Sequence, residues 1–374
     1  MLHAAYRRVV LPSVRALTRG DAEVAHEWYL AVMRRLERSP ALRRALAGNW
    51  TPDARLHQTL LDGLQFASPF GVAAGLDKNA SIYRALQAVS SPGFVEIGTV
   101  TPRAQAGNPR PRIVRVGAGN LINAMGFPNE GIEAAVARVA TAPPHHVPLG
   151  LNLGKMKDTS EADTPEEYRK LVAATADLQT RQGLPDFYVI NVSSPNTPGL
   201  TSMQKIAPLS AIVRAVTTEL DAIGHGVNLR HRLLVKIGPD MQPADLEPIV
   251  DLVDHFDIGG LIATNTTTAR PVRSRHDRRA GGFSGSALYD RSARTVRFIA
   301  ARLPRTRVLV ATGGIDTVDR AFEMLQHADL IGGYTGLVLQ GPRLFRRLAD
   351  GVAERMRHLG VDALAELRER NRPA

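Results

Sequence analysis

From residue 70 onward, short continuous apolar runs alternate with longer stretches whose apolar residues recur at helical spacing. Eight of the runs read as strands: residues 70–76, 94–100, 147–153, 187–193, 232–238, 260–266, 307–313 and 330–335. Their apolar residues are continuous rather than alternating, which suits parallel strands covered on both faces. Eight strands with intervening helices predict an α/β fold of the (β/α)8 TIM-barrel type over residues 61–362. A doubly wound sheet uses the same alternation, and only the strand count argues against it. Beyond the last strand, Gln340-Gly341-Pro342 predicts a closing helix with the proline in its first turn and Leu344, Leu348 and Val352 on its apolar face. Residues 363–374 read as a charged tail, helical and then frayed. The long connection 108–142 predicts a hairpin, with 113–116 and 121–122 flanking Gly117-Ala118-Gly119.

Residues 1–60 follow a different pattern. Leu2, Tyr6, Val9, Val10, Val14 and Leu17 approach helical spacing, and Pro12 is expected to bend or split that helix. Thr18-Arg19-Gly20 predicts a turn and Asp21 an N-cap. A second amphipathic helix follows, with Val24, Trp28, Val32 and Leu36 expected on one face. This N-terminal amphipathic helical cap carries ten arginines, no lysine and five acids. It reads either as packing for the main domain or as a basic pair lying on a membrane surface.

The composition narrows the chemistry. Of 374 residues, 44% are hydrophobic and 22% charged, which permits a sizeable core and excludes general disorder. No apolar run approaches the ~20 residues of a membrane span. Arg7, Arg8 and Arg15 interrupt the N-terminal apolar residues, so a signal peptide is not expected and a cytoplasmic location is the default. With no cysteine, the chain has no disulfide, thiolate metal site, cysteine-ligated iron–sulfur cluster or cysteine base. Without a His-x-x-His or paired-carboxylate motif, no metal is expected. The net charge of +11 favours anionic partners: nucleic acid, a phosphorylated cofactor or an acidic membrane face.

In a barrel of this kind the chemistry lies at the C-terminal strand ends. Strand one ends in Ala73-Ala74-Gly75-Leu76-Asp77-Lys78, where small residues allow close approach of a flat ligand and a cation follows. Thr99 ends strand two, Asn152 lies on strand three, and Asn191, Ser194 and Asn196 end strand four. Lys236 lies on strand five, and Thr264, Asn265 and Thr266 end strand six. Gly313-Gly314 after strand seven and Tyr334-Thr335-Gly336 after strand eight predict a phosphate cradle. Asn123 is expected to reach the mouth from the long loop. Amides offer both donor and acceptor, so such a set suits a heterocycle of alternating C=O and N–H groups. A lysine there holds a carboxylate or stabilises negative charge on a ring.

These residues carry a resemblance. The chain resembles the class 2 (quinone-linked) dihydroorotate dehydrogenases over nearly its whole length. The segments are 73–78, Glu96-Ile97-Gly98-Thr99-Val100-Thr101-Pro102, Asn191-Val192-Ser193-Ser194-Pro195-Asn196-Thr197-Pro198-Gly199-Leu200, Ile262-Ala263-Thr264-Asn265-Thr266-Thr267 and Gly281-Gly282-Phe283-Ser284-Gly285. Asp21-Ala22-Glu23-Val24-Ala25-His26-Glu27 is similar to the family's membrane-associated cap.

The resemblance implies an enzyme with one FMN per chain that oxidises dihydroorotate to orotate in pyrimidine synthesis and passes electrons to a membrane quinone. It implies Ser194 as the base for the C5 proton, helped by Thr197 and a Phe127 gate. FMN is expected at Ala74, Gly75, Leu76, Asp77, Lys78, Thr99, Asn152, Asn191, Lys236, Thr264, Gly285, Gly314, Tyr334 and Thr335. The substrate is expected at Lys78, Asn123, Ala124, Met125, Gly126, Phe127, Asn191, Asn196, Asn265 and Thr266. Peripheral contact with the cytoplasmic face of the cell membrane follows, through cap helices whose apolar residues line a quinone passage. Neither nucleic acid nor an iron–sulfur partner subunit is expected. The related class 1 enzymes use a cysteine base, and this chain has none.

Three departures stand out. Ala124 and Pro128 replace the arginine and second asparagine usual in the substrate loop. Gly332-Gly333 replaces bulkier residues and is expected to loosen strand eight. Residues 90–92 resemble a one-residue insertion. Two rival readings fit less well: another FMN barrel acting on RNA, which uses a cysteine acid, and a basic protein without catalysis, which leaves the asparagine set unexplained.

Overall fold

The computed structural model describes residues 6–142 and 147–371. Leu2 of the first apolar series and the last three residues of the tail lie outside the described residues.

Eight parallel strands close into a barrel: β1 (Phe70–Val72), β2 (Val95–Val100), β3 (Leu149–Leu153), β4 (Phe187–Asn191), β5 (Leu233–Ile237), β6 (Gly260–Ala263), β7 (Val308–Thr312) and β8 (Leu330–Gly333). Each lies within a predicted run, and every strand residue is buried. Several stop short of the predicted C-terminal end. There the chain leaves the ladder to build the mouth: Ala73 N–H donates to Gly333 O and Gly75 N–H to Gly98 O. Inside the opposite end, Phe66, Phe94 and Phe187 stack edge to face at 6.1 and 6.3 Å among Leu234, Ile262, Val310 and Leu330. Phe66 comes from a small hairpin, Gln58–Leu60 with Leu64–Phe66, which the pattern did not predict.

The expected hairpin forms, as Ile113–Val116 pairs with Asn120–Asn123. A third strand, Gly282–Gly285, joins its edge. A short unpredicted helix, Thr335–Gln340, follows β8, and Gly341 (φ +96°) ends it. The predicted closing helix begins only at Leu344 and buries Leu344, Leu348 and Val352. The tail forms helix Leu364–Arg370, with Leu364 and Leu367 buried. The expected looseness at strand eight is absent. Thr312 and Phe345 fill the space, so a Cβ on Gly332 would meet Thr312 at 2.6 Å and one on Gly333 would meet Phe345 at 2.8 Å.

The cap comprises α1 (Leu11–Leu17), α2 (Ala22–Glu37) and α3 (Pro40–Ala47). Pro12 sits in the first turn of α1, and a π-helical turn over Tyr6–Val10 precedes it, so the helix is split as expected. Asp21 caps α2 by accepting from the N–H groups of Glu23 (2.8 Å) and Val24 (3.0 Å). The expected face of α2 needs correction. Val24, Trp28 and Val32 point outward, at 46%, 53% and 41% exposure, whereas Leu36 is buried with Ala25 and Met33. Steps of four residues drift by about 40° around a helix of 3.6 residues per turn, so three steps carry Leu36 to the other side.

Candidate active site

The C-terminal strand ends converge on one cavity of about 1200 Å³. Ala74, Gly75 and Lys78 line it after β1, and Thr99 from β2. Asn191, Ser194 and Asn196 enter from β4, Lys236 from β5, and Thr264, Asn265 and Thr266 from β6. Gly314, Tyr334 and Thr335 line it beyond β7 and β8, and Gly285 beside the hairpin. Asn123, Met125, Gly126 and Phe127 complete the wall from the long loop.

Five residues expected at the site are not among the lining residues, the buried Thr197 being one of them. Leu76 is buried in the main core. The Asp77 carboxylate accepts from the N–H groups of Asn79, Ser81 and Ile82. Ala124 lies in the loop wall, its N–H on Arg112 O and its carbonyl accepting from Asn108. Asn152 is wholly buried beneath the cavity.

The asparagines form two hydrogen-bonded groups, Asn152, Asn191 and Asn265 in one and Asn123 with Asn196 in the other. Asn152 Oδ1 accepts from Thr99 Oγ1 (2.5 Å) and from Asn191 Nδ2 (3.1 Å). Asn265 Nδ2 donates to Ser193 Oγ at 2.9 Å, and Asn196 Nδ2 to Asn123 Oδ1 at 3.0 Å. Ser194 is buried, and its Oγ accepts from the Asn196 N–H at 3.3 Å. Asn196 Oδ1 and Thr197 Oγ1 are buried without a hydrogen-bond partner among the described residues. A buried polar atom left unpaired is costly, so these two are open positions for a ligand or proton.

Among the described residues, four cations line the cavity: Lys78 and Lys236 at the strand ends, Arg15 from the cap and Arg115 from the hairpin. Lys78 Nζ donates to Gly75 O at 2.5 Å. Burial, with Arg112 adding and Asp77 opposing, pushes its ammonium down to about 8. Lys236 faces Glu96 across the barrel at 3.4 Å. Burial pushes the Tyr334 phenol up to about 12.

Sequence reasoning missed Glu96 as a site residue. Its signal is a charge inside an otherwise apolar strand run, Phe94-Val95-Glu96-Ile97, where unpaired charges are rarely buried. It also missed His26 and Tyr29, which continue the cavity wall onto the cap. Burial, with Lys78, Arg112 and Arg34 adding to it, pushes the His26 imidazole down to about 3, so it is neutral at physiological pH. Of the cap residues expected along a passage, Val10, Val14 and Trp28 line the cavity. Val9, Leu17, Val32 and Leu36 are not among its lining residues.

Fold and mouth together define the class: a (β/α)8-barrel enzyme with its chemistry at the C-terminal strand ends. The family profile described as dihydroorotate dehydrogenase matches residues 56–356. A dihydroorotate dehydrogenase (quinone) of Kineococcus radiotolerans is 41% identical over 90% of this chain and 92% of its own. One from Deinococcus radiodurans is 42% identical over 94% of this chain and 97% of its own. The crystal structure of DHODH from Eimeria tenella in complex with ferulenol superposes with a TM-score of 0.81 at 30% identity, covering 94% of this chain and 96% of that one. The chain belongs to the dihydroorotate dehydrogenase family, in its quinone-linked class.

Proposed function

We propose that the protein oxidises (S)-dihydroorotate to orotate in de novo pyrimidine synthesis, with one FMN per chain and a membrane quinone as final acceptor. One observation carries this reading: a single cavity joins the polar barrel mouth to apolar side chains of the cap. Its two ends suit reactants of opposite solubility, an anionic ring and an apolar quinone.

The mouth fits a flat phosphorylated cofactor. A Cβ on Gly75 (φ +111°) would meet no protein atom within 4 Å, leaving room for a ring against the backbone. Gly314 (φ +74°) lines the same wall as Thr335, as a phosphate turn requires. FMN, when bound, supplies the acceptor that takes the C6 hydride and returns the electrons to the quinone. Ala74, Gly75, Lys78, Thr99, Asn191, Lys236, Thr264, Gly285, Gly314, Tyr334 and Thr335 would hold it, with Leu76, Asp77 and Asn152 supporting from behind.

On the substrate, Asn123, Asn191, Asn196, Asn265 and Thr266 pair with the ring's C=O and N–H groups. The open Asn196 Oδ1 matches a ring N–H. Lys78 holds the carboxylate, and Met125, Gly126 and Phe127, with the backbone of Ala124, cover the ring. Ser194 Oγ takes the C5 proton. Serine is a weak base, so it must release its own proton as it takes the one from C5; the unpartnered Thr197 Oγ1 suits a relay that passes that proton on to solvent water, the final acceptor.

The cap (residues 1–60) attaches peripherally to the cytoplasmic face of the membrane. Among the described residues, eight of the twelve exposed large hydrophobics lie on it, and no helix is long and apolar enough to cross a bilayer. The decisive measurement is the visible spectrum of the purified protein, followed by anaerobic addition of dihydroorotate. Yellow protein that bleaches is expected. Colourless protein, or colour that dihydroorotate leaves unchanged, overturns the reading.

A further inference from the structure

Glu96 is a buried carboxylate that none of these roles uses. It is the second residue of β2, at 2% exposure, and is not among the residues lining the cavity. Three donors from three other parts of the barrel converge on it. Its Oε1 accepts from Asn152 Nδ2 on β3 at 2.5 Å. Its Oε2 accepts from the Ala74 N–H, in the loop after β1, at 2.9 Å, and faces Lys236 Nζ on β5 at 3.4 Å. Each of these partners is a residue proposed above to hold or support FMN.

The arrangement has a clear energetic logic. A carboxylate taken out of water is tolerated only when charge and hydrogen bonds compensate it. Glu96 has both. The converse holds for Lys236, which is 5% exposed and has Glu96 as its ion-pair partner among the described residues. The place of Lys236 in the cavity wall therefore depends on a residue that is not itself part of that wall.

We propose that Glu96 is a positioning residue for the flavin site: it supplies the counter-charge for Lys236 and ties Lys236, Ala74 and Asn152 into one rigid floor. The proposal rests on the FMN reading above. Its consequence is electrostatic. Lys236 would stabilise negative charge arising on a bound ring. Without Glu96 the lysine is no longer held in place, so that stabilisation weakens although Lys236 is still present.

The test uses full-length holoprotein of wild type, E96Q, E96D, K236M and the double variant E96Q/K236M. Two quantities are read: the FMN dissociation constant, from flavin fluorescence, and the flavin midpoint potential, from equilibration with a reference dye. E96Q is expected to bind FMN roughly tenfold or more weakly, the scale of a lost charged hydrogen bond. Its potential should fall in the same direction as that of K236M. E96D, which keeps the charge, should return toward wild type. In the K236M background, E96Q should lower the potential no further, because no lysine remains for the counter-charge to serve, while FMN binding still weakens through the Ala74 and Asn152 contacts. Wild-type potential and affinity in E96Q, or an additive fall in potential in the double variant, overturn the proposal. Should E96Q not accumulate as folded protein, the double variant decides: a potential equal to or above that of K236M supports the proposal, and one well below it overturns it. A colourless wild type overturns the FMN reading instead, whereas a yellow wild type with an indifferent E96Q overturns only the role of Glu96.

Discussion

Glu23 on α2 and Arg112, at the entrance to the hairpin, form a buried ion pair that seats the cap on the barrel. Glu23 Oε1 accepts from Arg112 Nε at 2.7 Å, and Oε2 accepts from the Arg112 backbone N–H at 2.7 Å. At the other end of α2, Glu37 accepts from Arg84 Nε and from the Ala85 N–H, both at 2.7 Å. Two buried carboxylates thus pin the helix at both ends, and Val24, Trp28 and Val32 are left facing outward.

Removing one partner of a buried pair strands the other charge, which typically costs about 3–5 kcal/mol. Glu23→Gln should therefore loosen the cap while the barrel stays folded. Limited proteolysis at the 18–20 turn reads this directly. Cleavage at the wild-type rate would show that the pair contributes little to seating.

Ser194→Ala should keep FMN and orotate binding yet slow flavin reduction by about 10²–10⁴-fold, the usual reach of general base catalysis. Single-turnover mixing with dihydroorotate measures it. A rate within a few-fold of wild type removes Ser194 from the role.

Lys78 gives the site a pH dependence. Burial holds its ammonium at about 8, so it is a cation below that pH and neutral above. A bound anion favours the charged form. The orotate dissociation constant should stay flat below about pH 8 and rise as pH climbs, by up to roughly tenfold per unit. Lys78→Met should bind orotate weakly at every pH. A wild-type dissociation constant that is flat from pH 7 to 9.5 would place the carboxylate elsewhere.

The outward face of α2 should drive membrane attachment. Trp28→Asp with Val32→Asp should reduce sedimentation with anionic vesicles while flavin reduction by dihydroorotate is unchanged. Salt should weaken wild-type attachment, since arginines near an anionic surface are worth ~1 kcal/mol each. Equal sedimentation of the two proteins leaves the cap as packing only.

Gly333→Ala tests the filled space beside strand eight. Its Cβ would come within 2.8 Å of the Phe345 ring. Overpacking of that kind usually destabilises by about 1–3 kcal/mol. A thermal midpoint equal to wild type would mean that the ring moves aside freely.

Much of this was legible from the chain alone. Continuous apolar runs such as 308–311 suit parallel strands covered on both faces, and eight such strands close a barrel. Asp21 declared a helix start because a carboxylate ahead of an amphipathic series satisfies free N–H groups. The asparagine set was visible as polar residues ending apolar strands. These are local signals, written in spacing and residue type.

Tertiary closure decided the rest. Lys236 and Glu96 are 140 residues apart in sequence, and only the closed barrel brings their charges together. Strand 282–285 pairs with the hairpin because the loop after β6 folds back over the mouth, a route no local period encodes. Which side of α2 faces inward was settled by Glu23 and Glu37 finding Arg112 and Arg84, not by the apolar series. His26 is neutral because the fold buries it and brings Lys78 and Arg112 near it, with Arg34 of its own helix adding to their effect. Periodicity specifies what an element is; its partners, and hence its charges, depend on what the fold places beside it.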